Sequence, residues 1–143
     1  MRELRSRGDG NRESGAFLLG VRGGDGRTVK RVVYYDDLDA HSLTGGISMS
    51  GFAFSRLWDI CDVEGLRVLG DVHTHPGPWV EQSGIDSSNP MIAKAGHVAV
   101  ILPNFASGPA VPVRAGVHVY DGHRWASFFE GQAAERLFVR RFL

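Results

Sequence analysis

The chain has 143 residues, 43% of them hydrophobic, which is enough for one domain with its own apolar core. The 16 Lys and Arg residues balance the 16 Asp and Glu residues, and this zero net charge argues against a nucleic-acid binder, which normally carries a basic excess. The single cysteine, Cys61, excludes an intrachain disulfide, and no apolar run has the ~20 residues that cross a bilayer. We therefore expect a cytoplasmic protein without a membrane partner.

The first third of the chain predicts a lead-in followed by a hairpin. Residues 1–12 are polar and rich in turn formers, which predicts a flexible segment, and they lack the apolar stretch of a signal peptide. The apolar run 16–21 predicts a buried strand. After a glycine-rich turn, β-branched and aromatic residues over 28–35 predict the second strand of a hairpin.

The rest of the chain predicts a sheet flanked by helices. Apolar residues at helical spacing predict a helix over 51–62, and a strand follows over 67–72. Further elements are predicted as strands over 97–102, 111–120 and 124–129 and a closing helix over 130–142. Strands and helices mix without regular alternation, so we expect the α/β class, with a mixed β-sheet flanked by helices in a single domain over 13–143.

Two histidines and an aspartate follow the predicted strand 67–72. His73 and His75 are two residues apart, so their side chains leave an extended chain on the same side, and Asp86 comes eleven residues later. Two imidazole nitrogens and one carboxylate oxygen occupy three of the four tetrahedral positions on zinc and leave the fourth for water. The pKa of a water bound there falls to about 7. The pattern predicts one Zn²⁺ per chain, held by His73, His75 and Asp86, with a catalytic water.

Two other polar residues suit hydrolysis at such a site. Glu13 precedes an apolar run, and its carboxylate can carry a proton from water to a leaving amine. Ser83, three residues before Asp86, can donate its hydroxyl to a developing oxyanion. Plainer interpretations remain open: Glu13 as a solvated loop carboxylate, Ser83 as an ordinary loop residue, and Asp86 as the N-cap of a helix over 87–95.

Several other residues that could carry chemistry are predicted to be structural. Cys61 lies on the apolar stripe of the predicted helix 51–62 and is expected in the core. Trp79 either borders the path of a substrate or simply packs in the loop. Surface or hydrogen-bonded core positions are expected for the remaining histidines, His41, His97, His118 and His123.

The order of these residues resembles a known signature. Glu13 is followed by His73-x-His75, then by seven residues, and then by Ser83-x-x-Asp86. This is similar, position by position, to the JAMM signature of the JAB/MPN zinc metalloproteases. Pro76 and the glycines around Glu13 are also typical of the family, and the resemblance extends over roughly residues 13–128.

The resemblance implies a fold, an activity and roles for the residues. The fold would be the cytidine-deaminase-like JAB/MPN domain, with His73, His75 and Asp86 as zinc ligands, Glu13 as general acid/base and Ser83 as oxyanion donor. A small bacterial member would cleave isopeptide or peptide bonds after the C-terminal glycine of a ubiquitin-like protein. It would work beside the activating and conjugating enzymes of the same system.

Two further expectations concern binding. The family has a helix before its glutamate, and the twelve residues upstream of Glu13 leave that helix short or absent, so a partner protein could bind an apolar patch near the N-terminus. The extended tail of a ubiquitin-like substrate is expected to add to a sheet edge near 43–50.

Two alternative functions stay open at this point. One is a non-catalytic MPN-like scaffold that binds a partner, which the complete ligand set disfavours. The other is a different zinc hydrolase, such as a phosphodiesterase. Metallo-β-lactamase-type sites typically read H-x-H-x-D-H, and the sequence Pro76-Gly77-Pro78 after His75 does not follow that pattern.

Overall fold

The computed structural model describes residues 1–139, in which a six-stranded mixed sheet forms the central layer. Its strands are β1 (Gly15–Val21), β2 (Arg31–Tyr34), β3 (Leu66–Thr74), β4 (Val98–Leu102), β5 (Gly116–Tyr120) and β6 (Trp125–Phe128). The strand order is β2-β1-β3-β4-β5-β6; β3 and β4 are parallel, and the other neighbours are antiparallel. The predicted α/β class with a mixed sheet is confirmed.

Helices flank this sheet on both faces. They are α1 (Arg2–Arg7), α2 (Tyr35–Leu38), α3 (Gly51–Glu64), α4 (Gly84–Ser88) and α5 (Glu130–Ala134), with 3-10 turns at Asn104–Ala106 and Pro112–Arg114. Across residues 1–139, none of the helices combines the length and apolarity that a membrane crossing requires.

Helix α3 builds the main core. It begins at the N-cap Ser50, whose side chain accepts a hydrogen bond from the Ala53 amide, and it ends at Gly65, where a φ of 65° favours glycine. Its buried stripe of Ala53, Leu57 and Cys61 packs against one face of the sheet, called here the α3 face. Cys61 is therefore a core residue, as predicted.

The N-terminal segment is a correction to the prediction. Residues 1–12, expected as a flexible lead-in, contain helix α1, because Leu4 is buried beside Ala16 and Ala106 on the other face of the sheet. The Ser14 hydroxyl donates a hydrogen bond to the Leu4 carbonyl at 2.6 Å. Contacts with distant parts of the chain thus stabilise a helix that local sequence does not predict.

A partner-binding patch at the N-terminus is not supported by the structure. Within residues 1–12 of the described chain, no large hydrophobic side chain is exposed. Arg7 instead pairs with Asp36 at 3.0 Å and with Asp37 at 2.7 Å, and its guanidinium lies 4.0 Å from the centroid of the Tyr34 ring. These contacts hold helix α1 against the β1–β2 hairpin and α2.

The segment 43–50 is not the sheet edge that was expected there. It consists of turns and irregular chain, since Gly45 and Gly46 have φ values of 74° and 108° that interrupt an extended strand. Leu43 is buried in the core beneath α3. Among the described strands, the sheet edges are β2 and β6.

The last predicted elements are shorter than expected. The strand predicted over 111–120 starts only at Gly116, because Pro112 lacks an amide donor and begins a 3-10 turn. The closing helix predicted over 130–142 ends at Ala134, and the Arg136 guanidinium then lies 3.6 Å from the centroid of the Phe128 ring. The predicted helical residues 140–142 lie outside the described residues.

Candidate metal centre

The two histidines are held at the end of the central strand β3. His73 belongs to β3 and pairs with Gly15 of β1 and Ile101 of β4. His75 follows the strand, and its amide donates to the Leu102 carbonyl at 2.9 Å while its carbonyl accepts from the Phe105 amide at 2.8 Å. Both side chains are buried. Strands on both sides therefore fix the backbone from which the two imidazoles project.

Asp86 reaches the histidines from helix α4. The Ser83 hydroxyl accepts from the Asp86 amide at 3.1 Å, and the Asp86 carboxylate accepts from the Ser83 amide at 2.8 Å, which together form a capping box. Ser83, and not Asp86, is thus the N-cap, and the helix spans Gly84–Ser88 instead of 87–95. This reciprocal pair turns the Asp86 carboxylate back toward the histidines.

The three side chains converge as the sequence predicts. Asp86 Oδ2 lies 3.2 Å from His75 Nε2, and Asp86 Oδ1 lies 3.6 Å from His73 Nε2. One ligand atom from each of the three residues lies within 4.8 Å of the other two. His73, His75 and Asp86 could therefore hold one metal ion.

The hydrogen bonding of the histidines fits a metal. His73 Nε2 and His75 Nδ1 are buried without a hydrogen-bond partner among the described residues. A buried polar atom without a partner costs free energy, and a cation at the point that His73 Nε2 shares with Asp86 would satisfy that nitrogen. The donor set of two nitrogens and one oxygen is the kind that zinc accepts in open sites.

The electrostatics of the cluster also favour a cation. Burial by itself would lower the pKa of His73, but the hydrogen bond with Asp71 and the nearby negative charge of Asp86 outweigh burial and raise the pKa to about 9. Burial opposes ionisation of Asp86 as well, yet the adjacent His73 ring and the hydrogen bond with His75 hold the pKa of this carboxyl far below its ordinary value. Without a metal the site thus attracts a proton, which a metal ion would replace.

Asp71 is a residue of this centre that sequence reasoning missed. It is buried on the α3 face, opposite Phe17 of β1, and its carboxylate lies 3.4 Å from His73 Nδ1. His97 Nε2 and the Tyr35 hydroxyl also contact it, at 2.7 Å and 3.1 Å. The available signal was a carboxylate two residues before His73 in an apolar strand, a spacing that places both side chains on one face.

His97 and His118 are hydrogen-bonded core residues, as predicted. His97 contacts Asp71, whereas His118 lies under the loop between His75 and α4. His118 Nε2 lies 2.9 Å from the Val80 carbonyl oxygen and Nδ1 lies 2.8 Å from Ser127 Oγ. Burial lowers the pKa of His118, so the neutral ring donates through Nε2 to the loop carbonyl.

Glu13 precedes β1 and lies outside the ligand cluster found among the described residues. The Thr74 amide donates to the Ser14 carbonyl at 2.9 Å, which continues the pairing of β1 with β3 to the edge of the metal site. Glu13 is half-buried, and since side chains alternate along an extended chain, continuing the alternation of β1 would place it on the face of Gly15. Its role as a proton carrier stays a prediction.

Ser83 and Trp79 border the centre. The Ser83 oxygen accepts its hydrogen bond within the capping box, which leaves the hydroxyl proton available to another acceptor. Trp79 is half exposed, with its ring centroid 6.2 Å from that of His75. The ring packs beside a predicted ligand, and its position along the path of a substrate stays a prediction.

Comparison with known proteins supports the fold and leaves the family open. No family model matches the chain. The solution structure of a Desulfitobacterium hafniense protein, solved as a structural genomics target, is similar to this chain with a TM-score of 0.58 and 21% sequence identity. The match covers 90% of this chain and 84% of that one. At this level of identity the similarity concerns the fold alone.

Proposed function

We propose that this chain is a zinc-dependent protease of the JAMM type that cleaves after the C-terminal glycine of a ubiquitin-like protein. The observation that carries the proposal is the convergence of His73, His75 and Asp86 within 4.8 Å, where the end of β3 meets the first turn of α4. The resemblance of the spaced motif to the JAB/MPN family supplies the substrate class. The JAB/MPN form of the α/β fold is part of this proposal.

The residues around the ligands suit amide hydrolysis. A zinc ion held by His73, His75 and Asp86 would make hydroxide available at neutral pH and would polarise a carbonyl. Glu13 takes the proton of the attacking water and returns it to the leaving amine, a role worth 10²–10⁴-fold in rate. Ser83 directs its free hydroxyl proton to the oxyanion, which develops as the carbonyl carbon becomes tetrahedral.

The surroundings of the site favour a small residue at the cleaved bond. The Trp79 ring beside His75 and the start of α4 beside Asp86 border the ligands from two sides. A glycine at the end of an extended tail needs the least room between them. The substrate would be a precursor or a conjugate of a ubiquitin-like protein in the cytoplasm, with the activating and conjugating enzymes of that system as neighbours.

The test combines zinc analysis with cleavage of defined substrates. Purified protein is measured for zinc and is then incubated with a ubiquitin-like protein that carries a C-terminal peptide extension or an isopeptide-linked lysine. We expect cleavage that a chelator stops and added zinc restores. Glu13→Ala should retain zinc and lose hydrolysis, whereas Asp86→Ala should lose both.

A matched control comes from the same loop. Glu81 is an exposed carboxylate that contacts the Val80 amide and no ligand residue, so Glu81→Gln should cleave at the wild-type rate. If the Glu13→Ala variant cleaves at the wild-type rate, Glu13 is not the general acid/base. Protein without zinc affinity would favour a partner-binding scaffold, and zinc-dependent hydrolysis of phosphodiesters alone would favour a phosphodiesterase.

A further inference from the structure

His73 lies between two carboxylates that contact different nitrogens of its ring. Nδ1 is 3.4 Å from Asp71 Oδ2, and Nε2 is 3.6 Å from Asp86 Oδ1. An imidazole coordinates a metal through one nitrogen only, and the hydrogen bond made by the other nitrogen determines which one is free. We propose that Asp71 is the positioning residue of the metal centre: it accepts a hydrogen bond from His73 Nδ1–H and so directs the Nε2 lone pair toward the ion.

Asp71 is itself held in place from two other sides. Its Oδ2 accepts from the Tyr35 hydroxyl at 3.1 Å, and its Oδ1 lies 2.7 Å from His97 Nε2. Tyr35 is fully buried, and its ring packs edge-on against Phe17 at a centroid distance of 4.9 Å. These contacts prevent the carboxylate from rotating away from His73.

The chemistry of Asp71 favours this role over a purely structural one. A carboxylate that is 2% exposed is costly in an apolar core unless charged or polar groups satisfy it. Here all three contacting groups are donors, and one of them is the imidazole of His73, which is itself a predicted metal ligand. A carboxylate behind a ligating histidine makes the imidazole a better ligand and fixes its orientation.

The inference rests on the metal site of the proposed function and is independent of the peptidase chemistry. Its test is therefore zinc affinity, measured by competition with a chelating dye in the absence of any substrate. Asp71→Ala should weaken zinc binding by about 10–100-fold, the usual effect of losing such a partner. Asp71→Asn retains an oxygen acceptor for Nδ1–H and should bind zinc with an intermediate affinity.

A core variant separates positioning from general loss of stability. Leu57 is a fully buried residue of α3 in the apolar core cluster, so Leu57→Ala should lower the unfolding midpoint while leaving zinc affinity unchanged. If Asp71→Ala binds zinc as tightly as the wild type, the role of Asp71 is overturned. If the wild-type protein binds no zinc, the proposed metal site itself is overturned.

A second measurement does not depend on the folding of any variant. In the zinc-loaded wild-type protein, ¹⁵N NMR of the imidazoles should show a proton on His73 Nδ1 and the metal on Nε2. The Nδ1 proton should exchange slowly with water, because it is buried against Asp71. Coordination through Nδ1, or an Nδ1 proton that exchanges as fast as that of an exposed histidine, would overturn the proposal.

Discussion

Thr74 Oγ1 accepts a hydrogen bond from the Ser14 amide at 3.0 Å, across a sequence separation of 60 positions. The Thr74 amide donates in return to the Ser14 carbonyl at 2.9 Å, and the Thr74 side chain is fully buried. This reciprocal pair joins the start of β1 to the end of β3. Glu13 immediately precedes this pair in the chain, and His75 immediately follows it.

Replacing Thr74 by valine keeps the shape of the side chain and removes its acceptor oxygen. The buried Ser14 amide then lacks its partner, which should lower the free energy of unfolding by about 1–3 kcal/mol. Because Glu13 loses its anchor, hydrolysis of the proposed substrate should fall while zinc content stays. Thr74→Ser retains the oxygen and serves as the control. Equal unfolding curves for Thr74→Val and the wild type would contradict the anchoring role.

Gly116 on β5 should tolerate no side chain, because a Cβ there would lie 2.1 Å from the Val80 carbonyl oxygen. Gly116→Ala must therefore displace that carbonyl from His118 and shift the loop that leads to Asp86. We expect a loss of about 1–3 kcal/mol of stability, typical of overpacking, and weaker zinc binding. Both are measurable by chemical denaturation and metal competition.

Gly84, the first residue of α4, provides the matched control, since a Cβ at that position meets no atom within 4 Å. Gly84→Ala should leave both stability and zinc affinity close to those of the wild type. A Gly116→Ala protein with unchanged zinc affinity would show that the position of Val80 does not matter to the ligands.

Zinc affinity should rise with pH up to about pH 9. Burial lowers the pKa of His73, but the hydrogen bond with Asp71 and the nearby negative charge of Asp86 overcome burial and raise the pKa to about 9, so the metal-free ring carries an extra proton at neutral pH. Zinc must displace that proton, which weakens apparent binding by about tenfold for each pH unit below 9. The same raised pKa stabilises the metal-free fold below the unfolded value of about 6.5, and this stabilisation is lost as the pH rises through 9.

Calorimetry in buffers of different ionisation enthalpy measures this proton directly. At pH 7 we expect release of about one proton from His73 for each zinc bound, in addition to any from the bound water. His41 is exposed and lies outside the cluster, so His41→Gln should show the same release. Binding that is independent of pH between 6 and 8 would contradict the protonated state of His73.

Leu4 should contribute to the stability of the whole domain, because only 5% of its surface is exposed within the cluster with Ala16 and Ala106. Leu4→Ala should destabilise the protein by about 2 kcal/mol or more, as large-to-small changes in a core do. Ser6 lies on the exposed side of the same helix, and Ser6→Ala should change stability by less than about 0.5 kcal/mol. Equal thermal unfolding of the two variants would mean that α1 does not belong to the cooperative unit.

The sequence by itself determined the features that depend on neighbouring residues. Alternation along a strand places His73 and His75 on one side, whatever the rest of the fold does. The spacing of Ser83 and Asp86 is that of a capping box, so the pair could have been predicted as the start of a helix at Gly84. The apolar runs likewise located the strands and α3, with differences mainly at their ends.

Tertiary structure decided the features that depend on contacts between distant residues. The parallel pairing of β3 with β4 brings His97 into contact with Asp71, and Tyr35 at the start of α2 donates to the same carboxylate. The local sequence pattern therefore does not predict this buried network behind His73. Helix α1 has six residues, too few to be stable alone, and forms because Ala16 and Ala106 bury Leu4. In both cases the stabilising free energy comes from burying side chains against residues that are distant in the sequence and become neighbours only in the folded protein.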